Sequence, residues 1–190
     1  MTGLEKMNQT AWWAERSASL TIKRRPQDYR SALALVLRHA SLLIFIDAYI
    51  DPHAQNYGEF PQLLLAAGSN EYKPIIQIHR ASWRKVSGKI QVQPFAAWIA
   101  DFDPWSEKLT RADMKTDVFI WEDMRDRYLV SDIISINLPY GFDIGSDGDP
   151  PTTWSRIGTK EIERLQLEYE PNCKVHRLVG SFSIGKVDDD

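Results

Sequence analysis

A single cysteine in 190 residues, Cys173, rules out an internal disulfide framework, and its polar surroundings hold no partner ligands. The four histidines, His39, His53, His79 and His176, stand singly without a His-x-x-x-His pair, so a structural metal site is not expected. No Gly-rich cradle separates a strand from a helix: the glycines of GFDIGSDGD lie among aspartates that repel phosphate. A Gly-x-Ser-x-Gly elbow is missing too, and acyl transfer lacks its nucleophile. There is no surplus of positive charge: 23 Lys and Arg against 26 Asp and Glu leave a net charge of −3. A polyanion must then be met by a local cluster rather than by the whole surface. The longest apolar stretch, Ser41 to Ile50, is broken by Asp47 and is too short to span a bilayer. The start, MTGLEKMNQTAWWAERS, contains no apolar run of signal-peptide length. These absences predict a cytoplasmic protein in a reducing compartment, with no membrane span and no cofactor.

A hydrophobic composition of 43% is enough for one compact core. We expect one domain over residues 1–190, with 1–25 as a lead-in and 186–190 as an acidic tail. Pro26 and Asp28 open a helix whose face carries Tyr29, Leu33, Val36, Leu37 and Ala40, running to about His39. SLLIFIDAYI reads as a central buried strand, DPHAQNYG as a turn, and Phe60 to Ala67 as a short helix. KPIIQIH is a second buried strand, and Phe95, Trp98, Ile99, Phe102 and Trp105 recur at helical spacing between Pro94 and Leu109. DVFIW, RYLVSD and ISINLPYGFD follow as short strands with little room for helices between them, so neighbours can pair antiparallel. A Gly/Asp/Pro-rich loop from Gly145 to Thr153, a helix over about Lys160 to Tyr169, and KVHRLVGSFSIG as one or two strands complete the chain. The expected class is α/β, with a mixed, mostly parallel sheet flanked by helices.

One stretch, MRDRYLVSD, carries chemistry. On a strand Arg125 and Arg127 share a side, while Asp132 joins them only across a bulge or turn. Two guanidiniums on one face suit a phosphate, because each offers a fork of donors and neither loses its charge. The plainer reading is a solvated edge on which these arginines pair with Glu122, Asp123 or Asp126.

In context the stretch resembles the His-x-Lys-x-x-x-x-Asp signature of the phospholipase D superfamily, with Arg125, Arg127 and Asp132 at the His, Lys and Asp positions. Upstream, ALVLRHASLLIFIDAYIDPHAQNYGEFPQLL is similar to the helix, first core strand and loop of small phospholipase D-like domains. Downstream, ISINLPYGFDIG, which holds Asn137 and Asp143, is similar to their post-motif strand and Gly-x-Asp turn. The resemblance covers roughly Gln27 to Gly185. It is closest to the compact single-motif branch found in prokaryotic proteins, some in defence gene clusters, and at the end of certain eukaryotic membrane-trafficking proteins. In active relatives the histidine attacks phosphorus, the lysine clamps phosphate oxygens and the aspartate tunes the histidine; single-motif members obtain the second histidine by dimerising. The resemblance therefore implies a homodimer or larger assembly. An arginine stays protonated and cannot replace that nucleophile, although it still binds phosphate, so the covalent mechanism is expected to be absent.

Three readings follow. The first is a disarmed phosphodiesterase fold that binds a phosphate-bearing ligand, nucleic acid among the candidates, or a partner's acid through Arg125 and Arg127. The basic segments IKRRPQDYR and HRASWRKVSGK favour nucleic acid, and Asp47 and Asp51 are expected to pair with the motif arginines. The second is a surviving phosphodiesterase or nuclease using His79, His53 or a divalent ion held by Asp143, Asp147 and Asp149. The third is a protein-interaction module anchored by Trp12, Trp13, Trp83 and Trp154, all read as lying in loops or ends.

Overall fold

The computed structural model describes residues 18–68, 73–146 and 148–186. Helix α1 (Pro26–His39) starts with Pro26 in its first turn, carries Asp28 at its positive end, and places Arg38 and His39 at its negative end. It buries Tyr29, Leu33, Val36 and Leu37, each worth about 1.5–3 kcal/mol of transfer free energy. Further helices are α2 (Phe60–Ala67), α3 (Phe95–Asp101), α4 (Asp103–Arg111) and α5 (Thr159–Glu168), and Gln55–Tyr57 form a 3-10 turn. The single helical stretch expected between Pro94 and Leu109 is thus two helices. They divide at Phe102, with Pro104 in the first turn of the second.

The strands are β1 (Ser19–Ile22), β2 (Leu42–Asp47), β3 (Ile75–Ala81), β4 (Trp83–Val86), β5 (Lys89–Val92), β6 (Lys115–Trp121), β7 (Arg127–Ser131), β8 (Ile136–Asn137), β9 (Thr152–Arg156) and β10 (Leu178–Gly185). Eight of them form one sheet in the order β1-β9-β8-β7-β2-β3-β6-β10. The α/β class and the mixed sheet are as expected, but the balance of directions is not. Parallel pairing is confined to β2/β3 and β3/β6, where α2 and the α3–α4 pair form the crossovers, and the other five pairings are antiparallel. Strand β1 lies inside what reads from sequence as a lead-in. The hairpin β4/β5 begins inside the basic segment HRASWRKVSGK and runs past its end to Val92, turning at Ser87 and Gly88, both with positive φ.

Because side chains alternate along a strand, Leu43, Phe45, Ile76, Ile78, Val118, Ile120 and Leu129 share one face of the sheet. Helices α1 to α4 cover that face. The other carries Ile46, Trp121 and Val130, and among the described helices α5 alone lies against it, through Leu165 and, just past its end, Tyr169. Trp83 and Trp154 are not interface anchors in loops: they sit in β4 and β9, 8% and 3% exposed, as packed core. Trp12 and Trp13 lie outside the described residues, as does the acidic tail beyond Lys186. Among the described residues no helix is long and apolar enough to cross a membrane.

Candidate functional site

Strand β2 ends in Asp47, which is fully buried. Its Oδ1 accepts from the Tyr49 amide at 3.0 Å, and its Oδ2 from the Tyr57 hydroxyl at 2.9 Å and the Phe142 amide at 3.0 Å. Antiparallel register sets Arg127, the first residue of β7, opposite Asp47, with the guanidinium Nε 3.7 Å from Oδ1. The Arg127 guanidinium also donates to the Pro139 carbonyl and lies 4.4 Å from the centre of the Tyr49 ring. Burial raises the Asp47 carboxyl above its ordinary range, more than these donors lower it. Gly141 closes the pocket with φ +63°; a Cβ there falls 2.0 Å from Asp47 Oδ2, so only glycine fits. The predicted pairing of Asp47 with a motif arginine is present, and it ties the core together.

A second cationic cluster lies on the same face, where β3 ends. Ile76, Ile78 and Arg80 have the same parity, so Arg80 enters the interior between β3 and α3 with no exposure. Its Nε donates to the Ala81 carbonyl and its Nη2 to the Trp83 carbonyl, each at 2.6 Å, and its guanidinium lies 3.3 Å from the centre of the Trp98 ring. Among the described residues Nη1 has no hydrogen-bond partner and no carboxylate reaches ion-pair distance of Arg80, although Asp51 and Asp47 favour its charge from farther away. Burial brings this arginine down to about 9. Arg84, against the same tryptophan, is neutralised by Asp51 at 3.2 Å and Asp101 at 2.5 Å. Arg80, Arg84 and Lys85 line a cavity of about 230 Å³ with Tyr49, Asp51 and Asn56. It opens at the carboxyl ends of the parallel strands β2 and β3, where α/β sheets place their ligands.

The other candidates are dispersed. Arg125 is exposed and precedes β7, so it does not share a strand face with Arg127. Asp132 lies past the opposite end of β7, accepting from the amides of Ser41 and Leu42 and from the Ser41 hydroxyl, which lowers its pKa. Asn137 pairs with Tyr128 across β7 and β8. His79 points to the face opposite Arg80, 1% exposed, stacked on Phe119 with ring centres 4.7 Å apart. The Trp121 indole donates to its Nδ1 at 3.0 Å, and burial lowers its pKa to about 3. His53 is exposed, with Nε2 2.8 Å from Asp101. Asp51 accepts from the His53 amide and pairs with Arg84, not with a motif arginine. Asp143 and Asp149 both face Arg24, at 2.8 and 3.8 Å, so that cation occupies the position proposed for a divalent ion; Asp147 lies outside the described residues. Three possible metal donors do converge elsewhere, at Asp126, Glu168 and His176. There the Tyr169 hydroxyl donates to Asp126, and Arg164 pairs with Glu168.

Sequence reasoning placed Arg80 and Arg84 in a basic segment read as favouring nucleic acid and did not single either out. The signal that finds Arg80 is its parity: it continues the core-facing positions of an otherwise apolar strand. No family model and no curated protein matches the chain. Among solved structures it is similar to TrmBL2, described as an archaeal chromatin protein with a novel mode of DNA binding. Identity is 9%, the TM-score is 0.41, and the match covers 86% of this chain and 54% of that one. The chain thus spans about half the length of that relative.

Proposed function

We propose that the chain is a catalytically disarmed phospholipase D-like domain that binds a phosphate-bearing ligand, assembled as a homodimer. One observation carries the binding: the buried Arg80 guanidinium lines a cavity and, among the described residues, has an N–H without a hydrogen-bond partner and no carboxylate at ion-pair distance. Asp51 and Asp47 act on this guanidinium only from a distance, so its burial remains costly, and an anion in direct contact offsets that cost. Arg127 is turned inward to Asp47, so the phosphate falls to Arg80 and Lys85 rather than to the motif arginines. Cleavage and anisotropy assays with labelled DNA and RNA test the reading. Wild type should bind without cutting, Arg80→Met should lose binding, and sedimentation should give twice the chain mass. Metal-free cleavage by wild type overturns it, whichever histidine it depends on.

A second reading is a surviving hydrolase that uses His53. It draws support from Asp101, which stands 2.8 Å from His53 Nε2 and also holds Arg84 beside the cavity, as the orienting carboxylate of a general base does. Cleavage by wild type that is abolished in His53→Ala would establish it.

A further inference from the structure

We infer that the Arg80 cavity takes the terminal phosphate of its ligand end-on, and that the ligand class is a phosphomonoester rather than a phosphodiester backbone. This rests on the phosphate-binding reading above and narrows it. The unpartnered N–H belongs to a side chain with no exposure, so only a group passing below the surface reaches it. A terminal phosphate enters with one substituent trailing out, whereas an internal diester must bring two chains through the mouth of a cavity of about 230 Å³.

Charge points the same way. Arg84 is already held by Asp51 and Asp101, which leaves Arg80 and the exposed Lys85 as the available cations of the cavity lining among the described residues. A phosphomonoester approaches two negative charges near neutral pH and a diester carries one, so the monoester matches the pair. With a net charge of −3, the rest of the chain supplies no compensating excess.

The test is anisotropy with two short single-stranded DNAs labelled at the 3′ end, identical except for a 5′-phosphate or a 5′-hydroxyl. Inorganic phosphate serves both as competitor and, by calorimetry, as a ligand alone. The phosphorylated strand should bind about ten-fold tighter or more, and inorganic phosphate should displace it. Lys85→Glu, on an exposed side chain, should weaken that strand selectively, and Arg80→Met should erase the difference between the two. Binding of inorganic phosphate with neither strand supports the same end-on chemistry and assigns it to a small phosphate. Equal binding of the two strands without competition by phosphate overturns the inference while leaving the phosphate-binding reading intact. No binding of any of the three probes removes both.

Discussion

Replacing His79 with phenylalanine should remove most of the loss of stability that the protein shows between neutral pH and about pH 5. An unfolded histidine titrates near 6.5, whereas burial holds folded His79 at about 3. Between those values the unfolded chain binds a proton that the native state refuses. Stability contributed by the neutral ring is therefore complete above about 6.5 and falls as the pH drops toward 3. At about pH 5 the loss is on the order of 2 kcal/mol, which for a chain of this size lowers Tm by roughly 4–8 °C. Phenylalanine keeps the stack on Phe119 but leaves the Trp121 indole N–H without its acceptor, a pH-independent cost of about 1–3 kcal/mol. Urea titrations of both proteins at several pH values separate these effects, since only the slope against pH reports the imidazole. Asp47 and Asp143 pull the other way: burial raises both, so their contribution is present at low pH and is lost as pH rises through the folded values. Both proteins share that background, and it cancels in the difference. An equal fall in stability for wild type and His79→Phe would refute the reasoning.

Asp47→Asn puts an amide N–H against a donor and weakens the partner of Arg127. We expect a loss of about 2–4 kcal/mol in urea denaturation, below the figure for a fully buried pair because Arg127 is 27% exposed. Gly141→Ala should cost about 3 kcal/mol or more, combining positive φ with the clash on Asp47, and a change within 1 kcal/mol would contradict the packing described. Asp132→Ala should cost about 1 kcal/mol by releasing the amides that begin β2 and should leave phosphate affinity unchanged; a loss of binding would return Asp132 to the ligand site.

The apolar periodicity of α1, β2, α2 and β3 was legible because each buries a whole stripe or run, and the structure places them within three residues of expectation, β2 ending at Asp47 rather than Ile50. Strand β1 was not, since its pattern is exposed over Ser19 to Thr21 and it is held by backbone pairing to β9. The β4/β5 hairpin is similarly exposed over Lys85 to Val92, and its lysines read as surface charge although Ser87-Gly88 is a tight-turn pair. The site was half legible. The acid at the end of β2 and its arginine partner followed from the cost of an unpaired buried charge. Arg80 did not, because an arginine after IIQIH resembles the polar end of a strand until the facing tryptophan of α3 is known.

His79 and Arg80 are consecutive, both buried, and aimed at opposite faces of β3. The preceding Ile75–Ile78 run offers isoleucine to both faces and by itself tolerates more than one alignment with β2 and β6. A slip of one residue would drive a guanidinium into the Phe119–Trp121 stack and an imidazole against Trp98, leaving both without their partners. The two polar residues therefore act as an alignment key for the central strand, fixing which isoleucine meets which neighbour.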